Sequence, residues 1–407
     1  MFKKLLAAIL LFTAAAKAQV IVGRTNNDND LKLTTLPYYN FGKGVGITSP
    51  DSLFQFNIRF RIQNRITYID NEGQPPAYAG EIRRLRLRFD GFVGNPKFLY
   101  AIQLSFAPGD TGEIKEGENL NIIRDAVIYY RPNASWNISF GQTKLPGNRQ
   151  RVNSSGGLQL TDRTINNARF TIDRDFGIQI HQLNEFKNKF SYNFKTAIST
   201  GEGRNVTGNA DDGLALTGKA EIFPFGAFTK DGTYFEGDLM REKTPKLMFS
   251  GVFQQNNHAR RTGGQLGEEL YHPLTMKSVF FDTMLKYQGW AAMAAYMSRS
   301  TTTNPITYNP EDPTQMRYAF TGHGYDFQGS YLFKSNYEII GRYSIQKAND
   351  EISMIAPDAQ QFSLGLTKYI WEHTFKLQGE LTFDKLQYFD GSEKNNWYLR
   401  FQVEMGI

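Results

Sequence analysis

One stretch near the start of the chain, LFQFNIRFRIQNRITY (53–68), alternates apolar and polar side chains over sixteen residues. Successive side chains of a β-strand point to opposite faces, so this stretch has one apolar and one polar face. Only Asn64 interrupts the apolar face. Strands in globular sheets average about 5–6 residues. A strand of this length is typical of one that crosses a membrane at a tilt and projects beyond it.

A second stretch, EIRRLRLRFDGF (81–92), repeats the pattern with a ladder of arginines. Arg84, Arg86 and Arg88 fall on one face, opposite two leucines and a phenylalanine. A soluble sheet would place the arginines in water and the leucines in a core, whereas a membrane barrel would place the leucines in lipid and the arginines in a wet lumen. Arg83 lies two positions before Leu85 and therefore shares the face of the leucines. The barrel interpretation places it on the lipid side, where its side chain would reach the headgroups.

The N-terminus predicts export from the cytoplasm. Two lysines precede an apolar run from Leu5 to Ala15, and Ala16-Lys17-Ala18 has the form of a cleavage site. We therefore expect residues 1–18 to be a signal peptide and the mature chain to begin near Gln19. The chain has no cysteine, which excludes a disulfide framework and a lipid anchor on cysteine. Removal of the signal peptide takes away three lysines and no acid, so the net charge of +6 falls to +3, too little to indicate nucleic-acid binding.

Alternating segments recur along the whole chain, and no later run is long enough for a transmembrane helix. About sixteen strands are predicted, an even number, as single-chain outer-membrane barrels have. They lie near 53–68, 82–93, 98–107, 121–131, 135–144, 174–183, 189–199, 213–222, 246–255, 277–288, 290–299, 321–333, 337–347, 360–369, 373–384 and 396–407.

The connections between these strands alternate between short and long. The tight turns are 94–97, 131–133, 334–336 and 369–372, and the long polar loops are 69–81, 108–120, 145–170, 200–212, 256–276, 300–320, 348–359 and 385–395. Residues 223–245 break the alternation because they are too long for a turn. The last strand, WYLRFQVEMGI, is amphipathic to its end, although it finishes on Ile407 rather than an aromatic residue. The pattern predicts an all-β protein, a transmembrane antiparallel β-barrel with short periplasmic turns and long outer loops.

The chain also resembles the phosphate-selective porin O and P family over nearly all of its mature length. The similar fragments, in chain order, are GKGVGITSPDSLFQFNIRFRIQNR, which ends at Arg65, then IRRLRLRFDGF (82–92), IIRDAVIYYRP (122–132), SFGQTKLPGNRQ (139–150), TDRTINNARF (161–170), RDFGIQI (174–180) and KAEIFPFG (219–226). The resemblance implies a sixteen-stranded barrel in the cell outer membrane of a Gram-negative-type bacterium, usually a homotrimer. It further implies a constriction that presents arginines and lysines to anions. We expect a periplasmic lead-in over 19–52 and the barrel over 53–407.

The polar faces line the pore if the apolar faces meet lipid, and guanidinium groups suit phosphate and carboxylate oxygens. The predicted pore-lining, anion-binding residues are Arg59, Arg61, Arg65, Arg84, Arg86, Arg88, Lys144, Arg149 and Arg151. The alternative is that these cations pair with lumen acids such as Asp90 or Asp125, or with acids on inward-folded loops. The resemblance suggests that the basic loop after Lys144 folds into the barrel. The other possibility is an exposed outer loop that binds lipopolysaccharide phosphates.

No catalytic motif is evident, because the five histidines are scattered and there is no thiol and no G-x-S-x-G sequence. We therefore expect no enzyme activity, cofactor or metal. The predicted function is a passive, anion-preferring diffusion channel for small solutes such as phosphate or carboxylates. Its partners would be outer-membrane lipid, lipopolysaccharide, small anions and two further copies of the chain. The alternative is a non-conducting barrel that acts as a structural or secretion-complex partner.

Overall fold

The computed structural model describes residues 44–112, 121–206 and 213–407. The predicted signal peptide and the lead-in up to residue 43 lie outside them. Among the described residues, none of the helices is long and apolar enough to cross a membrane. The strands are β1 (Val45–Thr48), β2 (Phe54–Asn71), β3 (Ala77–Val93), β4 (Asn95–Ser105), β5 (Ile123–Asn133), β6 (Trp136–Lys144), β7 (Arg174–Asn184), β8 (Ser191–Ser199), β9 (Ala215–Phe223), β10 (Lys246–Arg261), β11 (Glu269–Tyr287), β12 (Trp290–Thr301), β13 (Ile306–Tyr308), β14 (Met316–Tyr318), β15 (Gly322–Leu332), β16 (Tyr337–Ala348), β17 (Asp358–Trp371), β18 (Phe375–Gln387) and β19 (Glu393–Gly406).

Sixteen of these strands, β2–β12 and β15–β19, form a closed antiparallel barrel, as predicted. Each strand pairs with the next one along the chain, and β19 closes the ring against β2 from Asn396 opposite Asn71 to Gly406 opposite Arg61. Closure leaves no long free sheet edge, which is the condition for a sheet to stand in lipid. Most short connections lie at one end of the barrel, called here the turn end, and most long ones at the other, called the loop end.

The alternation seen in the sequence separates the two surfaces of the barrel wall. In β17, for example, Phe362, Leu364 and Leu366 point outward and are about half exposed, whereas Ser363 and Thr367 point inward and are fully buried. The outer surface therefore carries the apolar side chains that meet lipid, and the polar side chains turn into the lumen.

Several strands extend further toward the loop end than their predicted limits. The loop predicted at 69–81 shrinks to 72–76, and the loop predicted at 256–276 shrinks to 262–268. Three short strands were not predicted. β1 pairs with β2 in the space beyond the end of β19, with Val45 opposite Ile58, while β13 and β14 form a hairpin within the loop after β12.

Two connecting segments enter the lumen from opposite ends. The constriction loop, residues 145–173, enters from the loop end and carries the helices Arg149–Val152 and Ile165–Phe170 and the 3-10 turn Ser155–Gly157. The turn-end segment, residues 224–245, contains the 3-10 helix Thr229–Tyr234. In the part of the chain that the structure describes, the remaining helical turns are Pro108–Thr111 and Asp350–Ile352.

The largest apolar core lies inside the barrel, because the constriction loop brings hydrophobic side chains with it. Leu145, Phe170 and Ile172 of the loop join a cluster with inward-facing residues of the wall and with residues of the loop-end connections. Those partners are Ala197, Val252, Phe280, Met297, Phe320, Ile352 and Ala356. This core fills one side of the lumen near the loop end, so the constriction loop is a packed part of the fold.

Candidate pore constriction

The arginines of β2 and β3 face one another across the strand pair. Arg59 lies opposite Arg88, and Arg61 lies opposite Arg86. Neighbouring like charges repel, so they need counter-charges close by. Asp90 supplies one for two of these groups, at 3.0 Å from Arg59 and 2.9 Å from Arg88.

Arg83 turns into the lumen, so the prediction that it faces lipid is wrong. The register shifts beside it, from Gln63 opposite Arg84 to Asn64 opposite Ile82, so Arg83 is the extra residue of a β-bulge. A bulge reverses the parity of the strand, and both Arg83 and Arg84 can then turn inward. The Arg83 guanidinium donates to Asp162 of the constriction loop at 3.0 Å.

The arginines of β2 and β3 together form an arginine wall. The constriction loop contacts this wall through two adjacent serines. Arg61 donates to Ser154 Oγ at 3.2 Å and to Ser155 Oγ at 2.6 Å. Arg86 also donates to Ser155 Oγ, at 3.2 Å. These contacts separate a larger cavity on the loop side from a smaller one on the turn side, of about 460 Å³ and about 40 Å³. Arg86, Gln103 and Ser154 line both cavities, so they mark the constriction.

The loop-side cavity is strongly basic. Among the described residues that line it, ten carry a cationic side chain and two carry a carboxylate. The cations are Arg83, Arg84, Arg86, Arg124, Lys144, Arg151, Arg163, Arg174, Arg204 and Arg400, and the acids are Asp110 and Asp162.

Both acids are held on segments that fold inward from the loop end. Asp110 accepts from Arg86 at 2.5 Å and lies 2.9 Å from Arg124. Burial on its own would raise the pKa of each carboxyl group, but the neighbouring guanidiniums outweigh it and hold both pKa values below the usual range. The two carboxylates therefore act as internal counter-ions of the arginine cluster.

The opposite side of the constriction loop is fastened to the wall formed by β15–β18. Asp326 accepts from Asn166 at 2.9 Å, Glu338 accepts from Gln159 at 2.6 Å, and Glu380 accepts from Thr161 N–H at 2.8 Å. These carboxylates are buried and face the loop. These three acids of the wall are thus occupied by the loop and do not line the loop-side cavity.

Glycines in that wall leave room for the side chains of the loop. A Cβ at Gly324 would lie 2.0 Å from Asn166 Oδ1, and one at Gly365 would lie 2.2 Å from Leu160 Cδ2. Both distances are too short for any other residue unless the side chain of Asn166 or Leu160 moves. The barrel wall is therefore shaped to receive this loop.

Seven of the nine predicted residues line the two cavities: Arg59, Arg61, Arg84, Arg86, Arg88, Lys144 and Arg151. Arg65 instead holds the base of the loop, because it donates to Thr161 O at 2.8 Å. Arg149 is buried, with its backbone N–H directed at Asp282 on β11. The cations that the prediction omitted include Arg124, Arg174 and Arg204. Arg124 and Arg174 lie on strands, and the alternation of their neighbours could have identified them.

The closed sixteen-stranded barrel and its apolar outer face define an outer-membrane β-barrel protein with a polar lumen. The model of the family described as phosphate-selective porin O and P matches residues 56–228, which confirms the resemblance over that part of the chain.

Solved structures of outer-membrane channels share the fold. The outer membrane channel DcaP of Acinetobacter baumannii matches at a TM-score of 0.52 and 14% identity, over 89% of this chain and 99% of that chain. OmpF of Salmonella typhi, in complex with daunomycin, has a TM-score of 0.52 at 10% identity, over 88% and 100%. An anion-selective porin from Comamonas acidovorans has 0.51 at 10%, over 86% and 100%. A search of curated proteins finds no match.

Proposed function

We propose that this porin is a passive diffusion channel that prefers small anions such as phosphate or carboxylates. The observation that carries the proposal is the excess of cationic over acidic side chains around the loop-side cavity. Rings and ladders of arginine favour anions in pores, because planar guanidiniums pair with phosphate and carboxylate oxygens and stay charged at any working pH. The absence of a catalytic motif from the sequence and the family match favour a channel over an enzyme.

Single-channel recording of the purified protein in planar bilayers tests this function. We expect stepwise conductance in potassium chloride, and we expect added phosphate or a small dicarboxylate to reduce the chloride current by competing for the same arginines. A current that phosphate and carboxylates leave unchanged would contradict the proposed solute class.

The second candidate is a non-conducting barrel that serves as a structural or secretion-complex partner. The direct hydrogen bonds from Arg61 and Arg86 to Ser154 and Ser155 favour it, since they bridge the lumen at the constriction. The same recordings distinguish the two candidates, because properly folded protein without any conductance would favour the partner role.

We also propose that the mature chain follows removal of residues 1–18 and that it assembles as a homotrimer. Its surroundings would be outer-membrane lipid and lipopolysaccharide. The resemblance to the porin family supports the trimer, and the outward apolar side chains support the lipid contact. Mass measurement of the mature protein in detergent tests the cleavage site and the oligomer together.

A further inference from the structure

The turn-end segment reaches through the lumen to the base of the constriction loop, and Glu236 makes the contact. Its backbone N–H donates to Gly157 O at 3.0 Å. Its carboxylate accepts from the backbone N–H of Gln159 at 3.0 Å and from Nε2 of Gln150 at 3.2 Å. Glu236 is 1% exposed, so these hydrogen bonds form away from water.

The two glutamines flank the part of the loop that faces the pore. Residues 151–158 run between them and carry Arg151 and the two serines that meet Arg61 and Arg86. One carboxylate therefore joins both ends of this tip, while the backbone bond to Gly157 fixes a third point. A loop whose two ends are held together can adopt fewer conformations than a loop that is held at one end only.

Glu236 is itself held in place by the barrel wall. Lys286 on β11 donates to the carbonyl oxygens of Gly232 and Phe235, at 2.7 and 3.0 Å. The Phe235 ring stacks on His373 with 4.8 Å between ring centroids. Farther along the segment, Asp238 accepts from Gly289 N–H at 2.8 Å. The barrel wall thus fixes the position of Glu236. The hydrogen bonds from Gln150 and Gln159 to Glu236 then fix the position of the tip.

We propose that Glu236 is the positioning residue of the constriction. It sets the distance between the tip, residues 151–158, and the arginine wall. The proposal rests on the channel function proposed above and adds a residue outside the arginine cluster to it. Glu236 lines neither of the two cavities, and it acts through Gln150 and Gln159. Without its carboxylate the buried N–H of Gln159 loses its acceptor, and of these three hydrogen bonds only the backbone bond to Gly157 still links the tip to the turn-end segment.

Replacement of Glu236 by alanine tests the proposal in single-channel recordings. We expect Glu236→Ala to increase the noise of the open-channel current and to lose part of the anion preference, because the tip moves relative to Arg61 and Arg86. Gln150→Ala should show the same two changes, since it removes the Gln150 hydrogen bond to Glu236 from the loop side. Glu242→Ala is the matched control, since this buried carboxylate of the same segment accepts from Thr229 N–H at 2.6 Å, within the segment.

The outcomes separate this inference from the channel proposal. A wild-type protein that does not conduct would remove the channel function itself. A conducting wild type together with a Glu236→Ala variant of unchanged noise and selectivity would overturn the role of Glu236. If Glu236→Ala does not insert into bilayers, Gln150→Ala carries the test from the loop side, and unchanged noise and selectivity in that variant would overturn the role as well.

Discussion

Arg86 combines the contacts that define the passage. It donates to Asp110 on one side and to Ser155 on the other, and it lines both cavities. We expect Arg86→Ser to leave the barrel folded and to lower the ratio of anion to cation permeability, because lumen substitutions tune selectivity. Arg317→Ser is the control, since Arg317 lies in the β13–β14 hairpin outside both cavities. Equal permeability ratios in the two variants would show that Arg86 does not contribute to the field in the pore.

Asp162 gives the constriction a defined response to acid. Its pKa lies well below the usual range because the attraction of Arg83, Arg84 and Arg65 outweighs the opposing effect of burial. A carboxyl group with a lowered pKa contributes stability above its unfolded pKa and loses it only as the pH falls through the folded value. We therefore expect conductance and selectivity to stay constant from about pH 8 to about pH 5 in bilayer recordings. A transition in that range that Asp162→Asn abolishes would contradict the lowered pKa, because an ordinary aspartate titrates at about 3.9 and only a raised pKa would fall in that range.

At the level of single residues, the alternation of the sequence predicted most of the arginine wall and missed two features. It could not predict that Arg83 turns inward, because a bulge inserts one residue without any change in hydropathy. It also could not separate Arg65, which holds the loop, from Arg61, which faces the cavity, since both have the same parity. Glu236 gave no signal of its own, and only the unusual length of residues 223–245 pointed to its segment.

Strand β3 shows how the two surfaces of the wall differ in what they tolerate. Leu87 lies opposite Phe60 and Leu104 in the two neighbouring strands. Leu87→Arg would place a charge on the lipid-facing surface, at a cost of about 2–4 kcal/mol near the middle of the membrane. We expect it to reduce the folded fraction in lipid vesicles, measured by the shift in gel mobility on heating.

Tyr78→Arg provides the control in the same strand. Tyr78 is 80% exposed and lies at the loop end of β3, where a charge on this surface costs about 0–1 kcal/mol. Equal folding of the two variants would mean that Leu87 does not face lipid. The comparison uses one strand and one introduced residue, so depth in the membrane is the main difference.

The elements themselves were predictable because every barrel strand must present one face to lipid. That requirement produces the alternation from which the sixteen strands were identified. The four residues of β1 and the three-residue strands of the β13–β14 hairpin are too short for such a pattern to register. The ends of the long strands were missed because they extend beyond the membrane, where polar residues suit both faces.

At the scale of the whole molecule, the lumen has two unlike sides. The arginine wall of β2 and β3 stays next to the cavities, while Asp326, Glu338 and Glu380 of the β15–β18 wall are occupied by the constriction loop. Hydropathy alone could not predict this division, because an inward-folded loop and a surface loop have similar composition. The resemblance to a porin family, and not the periodicity, indicated that the loop enters the barrel.

The reversal potential of the wild-type channel in a gradient of potassium chloride tests the central claim most directly. An arginine-lined passage predicts a potential displaced toward the chloride equilibrium value, with a smaller displacement at high salt because ions screen the guanidiniums. A potential displaced toward the potassium equilibrium value would contradict the account, since it would mean that carboxylates govern the passage.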